Sequence, residues 1–205
     1  RLSNVLVTAA GGRLNILLIM TMFVSLILGM GLPTSAAYLV LATMVAPAMI
    51  KMGVLPMAAH LFLFYFGIIS NVTPPVAMAS YAAAGIAQCN PSKCGFAAFK
   101  LAISGFILPF MFVYNPVLLN QGIWYEVLYS VFTALAGVYC LSCVTENFFM
   151  KWNINVVQRI MLGVAALLLI QPGIVTDIIG AVLVIGVLAG CKFRNFSKSG
   201  VKAPK

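Results

Sequence analysis

Long apolar runs dominate the chain, and polar residues interrupt them at only a few places. An apolar run from Leu14 to Leu28 is followed by Gly29-Met-Gly31-Leu-Pro33-Thr34-Ser35, and the apolar pattern resumes from Ala36 to Met52. Two glycines and a proline so close together do not continue a helix. The pattern therefore predicts a helical hairpin over residues 14–52, with the Gly/Pro segment at its tip.

Both arms of this hairpin are short. At 1.5 Å per residue each arm reaches roughly 22–26 Å, which is less than the roughly 30 Å of hydrocarbon in a bilayer. The lengths predict a re-entrant hairpin, which enters and leaves the membrane on one side. Two full spans are the alternative, and both versions give the same orientation for the rest of the chain.

A second apolar run extends from Pro56 to Ala87 and is broken at Ser70-Asn71-Val72-Thr73-Pro74-Pro75. The two prolines remove backbone donors, and each drives the residue before it out of the α region. The pattern predicts one span made of two half-helices with an unwound centre. Because irregular backbone at membrane depth is tolerated only inside protein or beside a wet cavity, the break predicts a functional site.

Four ordinary spans are predicted in the rest of the chain. They are Phe96–Leu119, Ile123–Val144, Val156–Ile170 and Ile174–Ala189. Polar loops are predicted at residues 88–95 and 146–155, and a turn at Gln171-Pro172-Gly173. We divide the chain into a transport repeat over residues 1–120 (hairpin 14–52, broken helix 56–87, span 96–119) and extra membrane helices with a basic tail over residues 121–205.

The composition places these runs in a membrane rather than in a soluble core. The chain of 205 residues is 63% hydrophobic and 7% charged, whereas soluble domains carry roughly 25% charged residues. No charged side chain lies between Arg13 and Lys51, or between Lys51 and Lys93. A soluble helix would carry charges on its wet face. The fold class is therefore an all-α integral membrane protein.

The positive charge predicts an orientation rather than nucleic acid as a partner. The net charge is +9, and five basic residues close the chain, at positions 192, 194, 198, 202 and 205. With this tail in the cytoplasm, nine of the twelve basic residues fall inside: two near position 95, two near position 155 and five in the tail. That distribution follows the positive-inside rule. Because the chain begins at Arg1 without a signal-peptide pattern, we expect a C-terminal fragment of a longer polypeptide.

Candidate catalytic chemistry is sparse. The acids Glu126, Glu146 and Asp177 lie far apart, and no nucleophile motif or phosphate loop is present, so the sequence does not support an enzyme. The cysteines at positions 89, 94, 140, 143 and 191 lack the spacing of a zinc site. We interpret the two close pairs, 89/94 and 140/143, as structural cysteines that form no disulfide. We interpret His60 as a packed, hydrogen-bonded residue and Asp177 as a helix-start carboxylate rather than as proton relays.

The two interruptions carry the functional hypothesis. Helix N-termini offer N–H groups to a carboxylate, while unwound carbonyls and helix C-termini suit Na⁺. Thr73 is the best single candidate for an ion contact, and Thr34 and Ser35 are also placed to cap the second arm. The alternative is a structural turn and a simple kink. The predicted substrate and ion path consists of Gly29, Gly31, Pro33, Thr34, Ser35, Asn71, Thr73, Pro74 and Pro75.

The residues at these interruptions resemble a known transporter family. The tip Gly29–Tyr38 and the break Asn71–Ala77 are similar to the large membrane subunit of tripartite ATP-independent periplasmic (TRAP) transporters, as is the stretch Ala58–Gly67. The likeness is strongest to the branch in which small and large subunits are fused. The segment Gln171–Asp177 resembles the extra C-terminal part of such fusions, so the resemblance covers nearly the whole chain.

This resemblance implies a fold, a coupling ion and partners. The fold is the second half of an elevator-type inverted-repeat transporter. Na⁺ is the coupling ion, with Gly31, Thr34, Asn71 and Thr73 as implied ligands, and no other cofactor is expected. A periplasmic substrate-binding protein delivers an organic anion to the bacterial inner membrane, where lipid and the N-terminal part of the same permease are further partners. Ala77 departs from the family pattern, since many large subunits have glycine there.

Three other functions stay open at this point. A related elevator-type exchanger would use no binding protein. A non-transporting membrane scaffold would have continuous helices through Gly31 and Pro74. A membrane enzyme is disfavoured by the missing catalytic groups. Among carboxylates, dicarboxylates, keto acids, amino acids and sugar acids all suit a site at a helix end.

Overall fold

The computed structural model describes residues 2–149, 152–171 and 173–199. In these residues the chain is helical almost throughout, as the apolar runs predict. The helices form two compact units, which divide between Gly122 and Ile123. Each unit has an apolar core of its own.

The first unit is built from α-helices that are mostly shorter than a full membrane span. In chain order they are α1 (Leu2–Ala9), α2 (Leu14–Gly29), α3 (Thr34–Met44), α4 (Ala46–Lys51), α5 (Pro56–Ile69), α6 (Met78–Ala87), α7 (Pro91–Ala102) and α8 (Leu108–Tyr114). Short 3₁₀ segments follow three of these helices, at Ser70–Val72, Ile103–Ile107 and Pro116–Leu119.

Helix α5 lies at the centre of the first unit. It packs against α2, α3 and α8, and the rings of Phe62 and Phe66 are fully buried. Both rings make edge-to-face contacts with Phe110 of α8, at 5.2 and 6.0 Å between centroids. Such pairs contribute about 0.5–1.5 kcal/mol beyond burial. The aromatic residues therefore hold in place the helix that leads into the predicted break.

Helix α7 begins at Pro91, so the prediction of a polar loop over residues 88–95 and of a span starting at Phe96 is wrong. Pro91 occupies the first turn of the helix, where a backbone N–H is not needed. The side chain of Asn90 caps the helix by accepting a hydrogen bond from the Lys93 N–H at 3.2 Å. Because this cap stabilises a helix that starts at Pro91, the polar residues that follow are helical.

The C-terminal end of this span also differs from the prediction, which placed it at Leu119. Helix α8 ends at Tyr114, because Asn115 adopts a non-helical conformation (φ −126°, ψ 83°) before Pro116, as residues that precede proline usually do. The segment Pro91–Tyr114 is nevertheless 24 residues long and apolar enough to cross a membrane.

Three segments of the described chain have the length and hydropathy of a membrane span: Thr34–Lys51, Pro91–Tyr114 and Trp124–Glu146. The all-α membrane fold is therefore confirmed. The first of these segments joins α3 and α4 and is 18 residues long, whereas α2 has 16 residues. The length argument for a re-entrant hairpin thus applies to its first arm and not to its second, and the path of the hairpin through the membrane stays a prediction.

The second unit consists of α9 (Trp124–Glu146), α10 (Val156–Ile170) and α11 (Ile174–Ser199), with α10 packed against both neighbours. Between α9 and α10 lies a short antiparallel pair of strands, β1 (Phe148–Phe149) and β2 (Trp152–Asn153). The prediction of a plain polar loop over residues 146–155 is therefore wrong. Phe149 is 2% exposed and belongs to the core of the unit, and burial of this side chain holds the strands against the helices.

Helix α11 continues to Ser199, past its predicted end at Ala189. The basic residues Lys192, Arg194 and Lys198 are therefore helical. Several residues on which the sequence analysis relies, including one of the two basic residues near position 155, lie outside the described residues. They are Arg1, Lys151, Pro172 of the predicted turn, Lys202 and Lys205.

The close approach of α10 and α11 depends on Gly180. A Cβ atom at this position would lie 2.8 Å from Leu169 Cγ and 3.2 Å from the Ala165 carbonyl oxygen. We expect Gly180→Ala to lower the midpoint of thermal unfolding in detergent. Overpacking costs about 1–3 kcal/mol, which exceeds the roughly 0.5–1 kcal/mol gained by removing a glycine from a helix.

Gly186→Ala on the same helix is the matched control, because a Cβ atom there would meet nothing within 4 Å. We expect its midpoint to equal or exceed that of the unsubstituted protein. Equal midpoints for the Gly180 and Gly186 variants would contradict the packing argument.

Candidate functional site

The hairpin tip interrupts the helix where the sequence predicts it. Helix α2 ends at Gly29, and the next N–H, of Met30, still donates to carbonyls of the last turn. Gly31 has a φ of +80°, a conformation that residues with a Cβ atom adopt only at a cost. Pro33 (φ −55°, ψ 141°) then directs the chain into α3, which begins at Thr34.

Thr34 and Ser35 do not cap α3, so that prediction is wrong. Pro33 occupies the capping position, and no side-chain hydrogen bond caps the helix. Both hydroxyl residues lie within the first turn and are exposed. Because the first N–H groups of a helix have no partner within it, the start of α3 presents backbone donors at the tip.

The break between α5 and α6 is likewise confirmed. The 3₁₀ turn at Ser70–Val72 is followed by Thr73 in an extended conformation (φ −98°, ψ 123°). Pro74 and Pro75 come next and are joined by a cis peptide bond. Ala77 has a φ of +35° and a ψ of +47°, and α6 begins at the following residue.

The left-handed conformation of Ala77 gives a physical reason for glycine at this position in the permeases that the chain resembles. A residue with a Cβ atom pays roughly 1–2 kcal/mol to adopt it. Ala77 is fully buried, so its surroundings hold it in this conformation. The turn that starts α6 is therefore strained in this chain where a glycine would not be.

Polar side chains at the break donate their hydrogen bonds back to the last turn of α5. The bonds run from Thr73 Oγ1 to Ile69 O (2.8 Å), from Ser70 Oγ to Gly67 O (2.7 Å) and from Asn71 Nδ2 to Ile68 O (3.3 Å). The hydroxyl oxygen of Thr73 and the amide oxygen of Asn71 remain acceptors. Thr73 is 7% exposed, and Asn71 is partly buried.

Gly29 brings the hairpin into contact with the break. A Cβ atom on Gly29 would lie 2.5 Å from Ser70 Oγ and 3.1 Å from the Gly67 carbonyl oxygen, so a side chain here would push α2 away from α5. The C-terminal ends of α2 and α5 therefore lie side by side. Since a helix C-terminus carries roughly half a negative charge, the two neighbouring ends favour the binding of a cation between them.

Ser25 is a polar residue that the apolar pattern did not single out. It lies one turn before Gly29 on α2 and is fully buried, and its hydroxyl oxygen has no hydrogen-bond partner among the described residues. An unpaired buried hydroxyl costs about 1–3 kcal/mol of stability. A ligand that contacts this hydroxyl oxygen would offset the cost. The four-residue spacing of Thr21, Ser25 and Gly29 puts them on one helix face, and this spacing was the available signal.

The other predicted path residues lie on both sides of this contact. Gly31, Pro33, Thr34 and Ser35 are exposed at the tip, and a Cβ atom on Gly31 would meet nothing within 4 Å. At the break Pro74 is partly buried, and Pro75 is exposed and accepts a hydrogen bond from the Tyr81 hydroxyl at 2.8 Å. A shared ion site for Gly31, Thr34, Asn71 and Thr73 stays a prediction.

Two titratable residues weighed as relays have other partners. In the first unit His60 is partly buried, and its Nδ1 shares a hydrogen bond of 3.1 Å with the Tyr38 hydroxyl, which agrees with the interpretation as a hydrogen-bonded residue. In the second unit Asp177 lies in the first turn of α11 and accepts a hydrogen bond from the Tyr129 hydroxyl at 2.8 Å. Its position confirms the interpretation as a helix-start carboxylate.

A multi-pass α-helical membrane protein in which two helix interruptions meet at neutral oxygens has the construction of a secondary transporter. The sequence model of the family described as "Tripartite ATP-independent periplasmic transporter, DctM component" matches residues 1–127. The chain belongs to this family and is a permease component of a TRAP transporter, so the resemblance to the large subunit is confirmed over residues 1–127. The likeness of the C-terminal part to the fused-subunit branch stays a prediction. No curated protein and no solved structure matches the chain.

The interruptions also bear on the scaffold hypothesis. That hypothesis required continuous helices through Gly31 and Pro74, and neither position lies in a helix. Membership of a transporter family also argues against a non-transporting scaffold.

Proposed function

We propose that this permease component imports an organic anion together with Na⁺, and that a periplasmic binding protein delivers the anion. The contact between Gly29 and the break carries the proposal. It brings the negative end of α2 next to that of α5, whose last turn accepts hydrogen bonds from the side chains of Thr73 and Asn71. Such an arrangement suits a monovalent cation held by neutral ligands.

In this proposal Na⁺ binds where α2 and α5 end. Thr73 and Asn71 supply side-chain oxygens from the break, and Gly31 and Thr34 supply oxygens from the tip. No charged residue occurs at positions 14–50 or 52–92. Neutral oxygens and helix ends therefore bind the ion without a buried carboxylate, whose desolvation would cost several kcal/mol.

The carboxylate of the substrate binds at helix N-termini. Helix α3 begins at the exposed Thr34, and α6 begins directly after Ala77. Backbone N–H groups and the positive end of the helix dipole bind carboxylates without an arginine. An anion at these helix starts and a cation at the neighbouring helix ends attract each other, which favours binding of both together.

The proposed substrate class is the organic carboxylates, and the binding protein selects among them. The helix starts recognise the carboxylate group that all of these compounds share. In the proposed inner-membrane orientation the C-terminal end of α11 is cytoplasmic, because Lys192, Arg194 and Lys198 lie at that end.

Reconstitution of the whole permease with its binding protein tests this proposal. Uptake of four radiolabelled probes is measured in proteoliposomes: a dicarboxylate, a keto acid, an amino acid and a sugar acid. We expect at least one probe to accumulate with an inward NaCl gradient, and none with choline chloride. Uptake that is the same with and without a Na⁺ gradient would contradict the proposed Na⁺ coupling. Full uptake without the binding protein would favour the exchanger alternative.

A further inference from the structure

Asp177 of the second unit is a buried carboxylate that the proposed transport site does not use. It is 6% exposed, and its Oδ1 atom is buried without a hydrogen-bond partner among the described residues. The other oxygen, Oδ2, accepts a hydrogen bond from the Tyr129 hydroxyl at 2.8 Å. Buried polar atoms usually have a partner, and an acid within an apolar membrane helix indicates a functional site. The unpaired oxygen therefore predicts a positively charged ligand.

Among the described residues of the second unit, the helices place no basic residue near this carboxylate. Asp177 is the only charged residue at positions 160–191, and α9 carries no charge at positions 127–145. Arg159 lies 11 residues before the end of α10, and Lys192 lies 15 residues after Asp177. These separations are roughly 16 and 22 Å along the helix axes. The positive charge must therefore come from a ligand.

Oxygen acceptors surround the start of α11. Gly180 follows Asp177 by three residues on the same helix face, and a Cβ atom on Gly180 would lie 2.8 Å from Leu169 Cγ. Asp177 therefore lies at the C-terminal end of α10, where the last carbonyls of a helix have no partner within it. The Tyr129 oxygen can also accept while its hydroxyl donates to Asp177. Tyr129 is 47% exposed, which leaves the site a route to its surroundings.

The local charges select a monovalent cation. The negative end of α10 and the positive end of α11 are similar in size and offset each other, so the carboxylate leaves one negative charge. The other acids have different positions: Glu126 Oε2 accepts from the Ile123 N–H at 3.4 Å, and Glu146 lies at the opposite end of α9. A divalent ion would leave a positive charge uncompensated in an apolar unit, which is unfavourable.

We propose that Asp177 and Tyr129 bind a monovalent alkali-metal cation where α9 and α11 begin and α10 ends. Asp177 Oδ1 and the Tyr129 oxygen hold the ion, and carbonyl oxygens at the end of α10 complete its shell. Carboxylates, carbonyls and helix C-termini are the ligands that such ions take inside membranes. Both residues lie beyond positions 1–127, which the permease family model matches. The site is independent of the ion site proposed at the helix break.

Hydrogen exchange on the purified permease tests this site locally. Exchange of the backbone amides at positions 173–182 is followed by mass spectrometry in NaCl, in KCl and in choline chloride at equal concentration. We expect NaCl or KCl to slow exchange about tenfold at ten times the dissociation constant, because opening of the junction releases the ion. Asp177→Asn should abolish this protection. Its unfolding midpoint in choline chloride should equal or exceed that of the parent, because asparagine keeps an acceptor for Tyr129 and removes the uncompensated charge.

Two further variants separate ion binding from packing. Tyr129→Phe removes one ligand and should reduce the protection, whereas Glu126→Gln removes an exposed acid from the first turn of α9 and should keep it. Equal protection in the parent and in Asp177→Asn would overturn the proposal, as would no protection in either salt. So would the same protection in choline chloride at lowered pH, which would assign the site to a proton. Transport without Na⁺ coupling would leave these results unchanged, so the two proposals fail separately.

Discussion

Replacing Gly29 with alanine is expected to separate the hairpin from the helix break and to lower the unfolding midpoint of the permease. The added Cβ atom would lie 2.5 Å from Ser70 Oγ and 3.1 Å from the backbone oxygen of Gly67. A side chain can move away but a backbone carbonyl within a packed helix cannot, so α2 must shift. We expect a loss of about 1–3 kcal/mol of stability, measured by thermal unfolding in detergent.

The same substitution should weaken Na⁺ binding, because it moves one of the two helix ends that favour the cation. Na⁺ binding is measured as the rise in unfolding midpoint in NaCl over that in choline chloride at equal concentration. Gly85→Ala is the matched control, since Gly85 is also helical and a Cβ atom there would meet nothing within 4 Å. We expect it to keep both the midpoint and the Na⁺ response.

A double substitution separates the contact from a general effect of the added methyl group. In Gly29→Ala with Ser70→Gly, the hydroxyl and Cβ atom that the new side chain meets are both gone. We expect the double variant to be more stable than the sum of the single effects predicts, which is the sign of direct coupling. Strict additivity would mean that Gly29 and Ser70 do not pack as the structure shows.

Local chemistry explains why both interruptions were predictable. Gly31 needs a positive φ, and Pro33 and Pro74-Pro75 cannot continue a helix. These effects act within a few residues of their cause, so the sequence is enough to locate them. The start of α7 was predictable by the same logic, because Asn90-Pro91 is a recognisable cap followed by a first-turn proline. The segment was predicted to be a loop because several of its residues are polar.

Contacts between distant segments could not be predicted in this way. Gly29 and Ser70 are far apart in sequence, and the apolar pattern does not specify which face of α2 meets α5. Ser25 looked like an isolated polar residue until that face was known. The burial of Phe149 likewise depends on how β1 meets the helices of its unit, which the residues around it do not show.

The ion hypothesis leads to its largest expected effect at Thr73. Thr73→Val keeps the shape of the side chain and removes the hydroxyl, which is nine-tenths buried at the break and bonded to Ile69 O at 2.8 Å. A bound ligand at a hundred times its dissociation constant stabilises a protein by about 2.7 kcal/mol. Each tenfold loss of affinity removes about 1.4 kcal/mol of that stabilisation. We therefore expect most of the Na⁺-dependent rise in midpoint to disappear.

Two further variants decide whether this loss concerns the ion or only the fold. Thr73→Ser retains the hydroxyl and should recover most of the Na⁺ response. Thr43→Val removes a comparable hydroxyl, which donates to the Leu39 carbonyl at 2.9 Å on the exposed side of α3, and should leave the response intact. If Thr73→Val lowers the midpoint equally in NaCl and in choline chloride, the hydroxyl stabilises the break without binding Na⁺. The coupling ion must then be sought at other oxygens, beginning with the unpaired hydroxyl of Ser25.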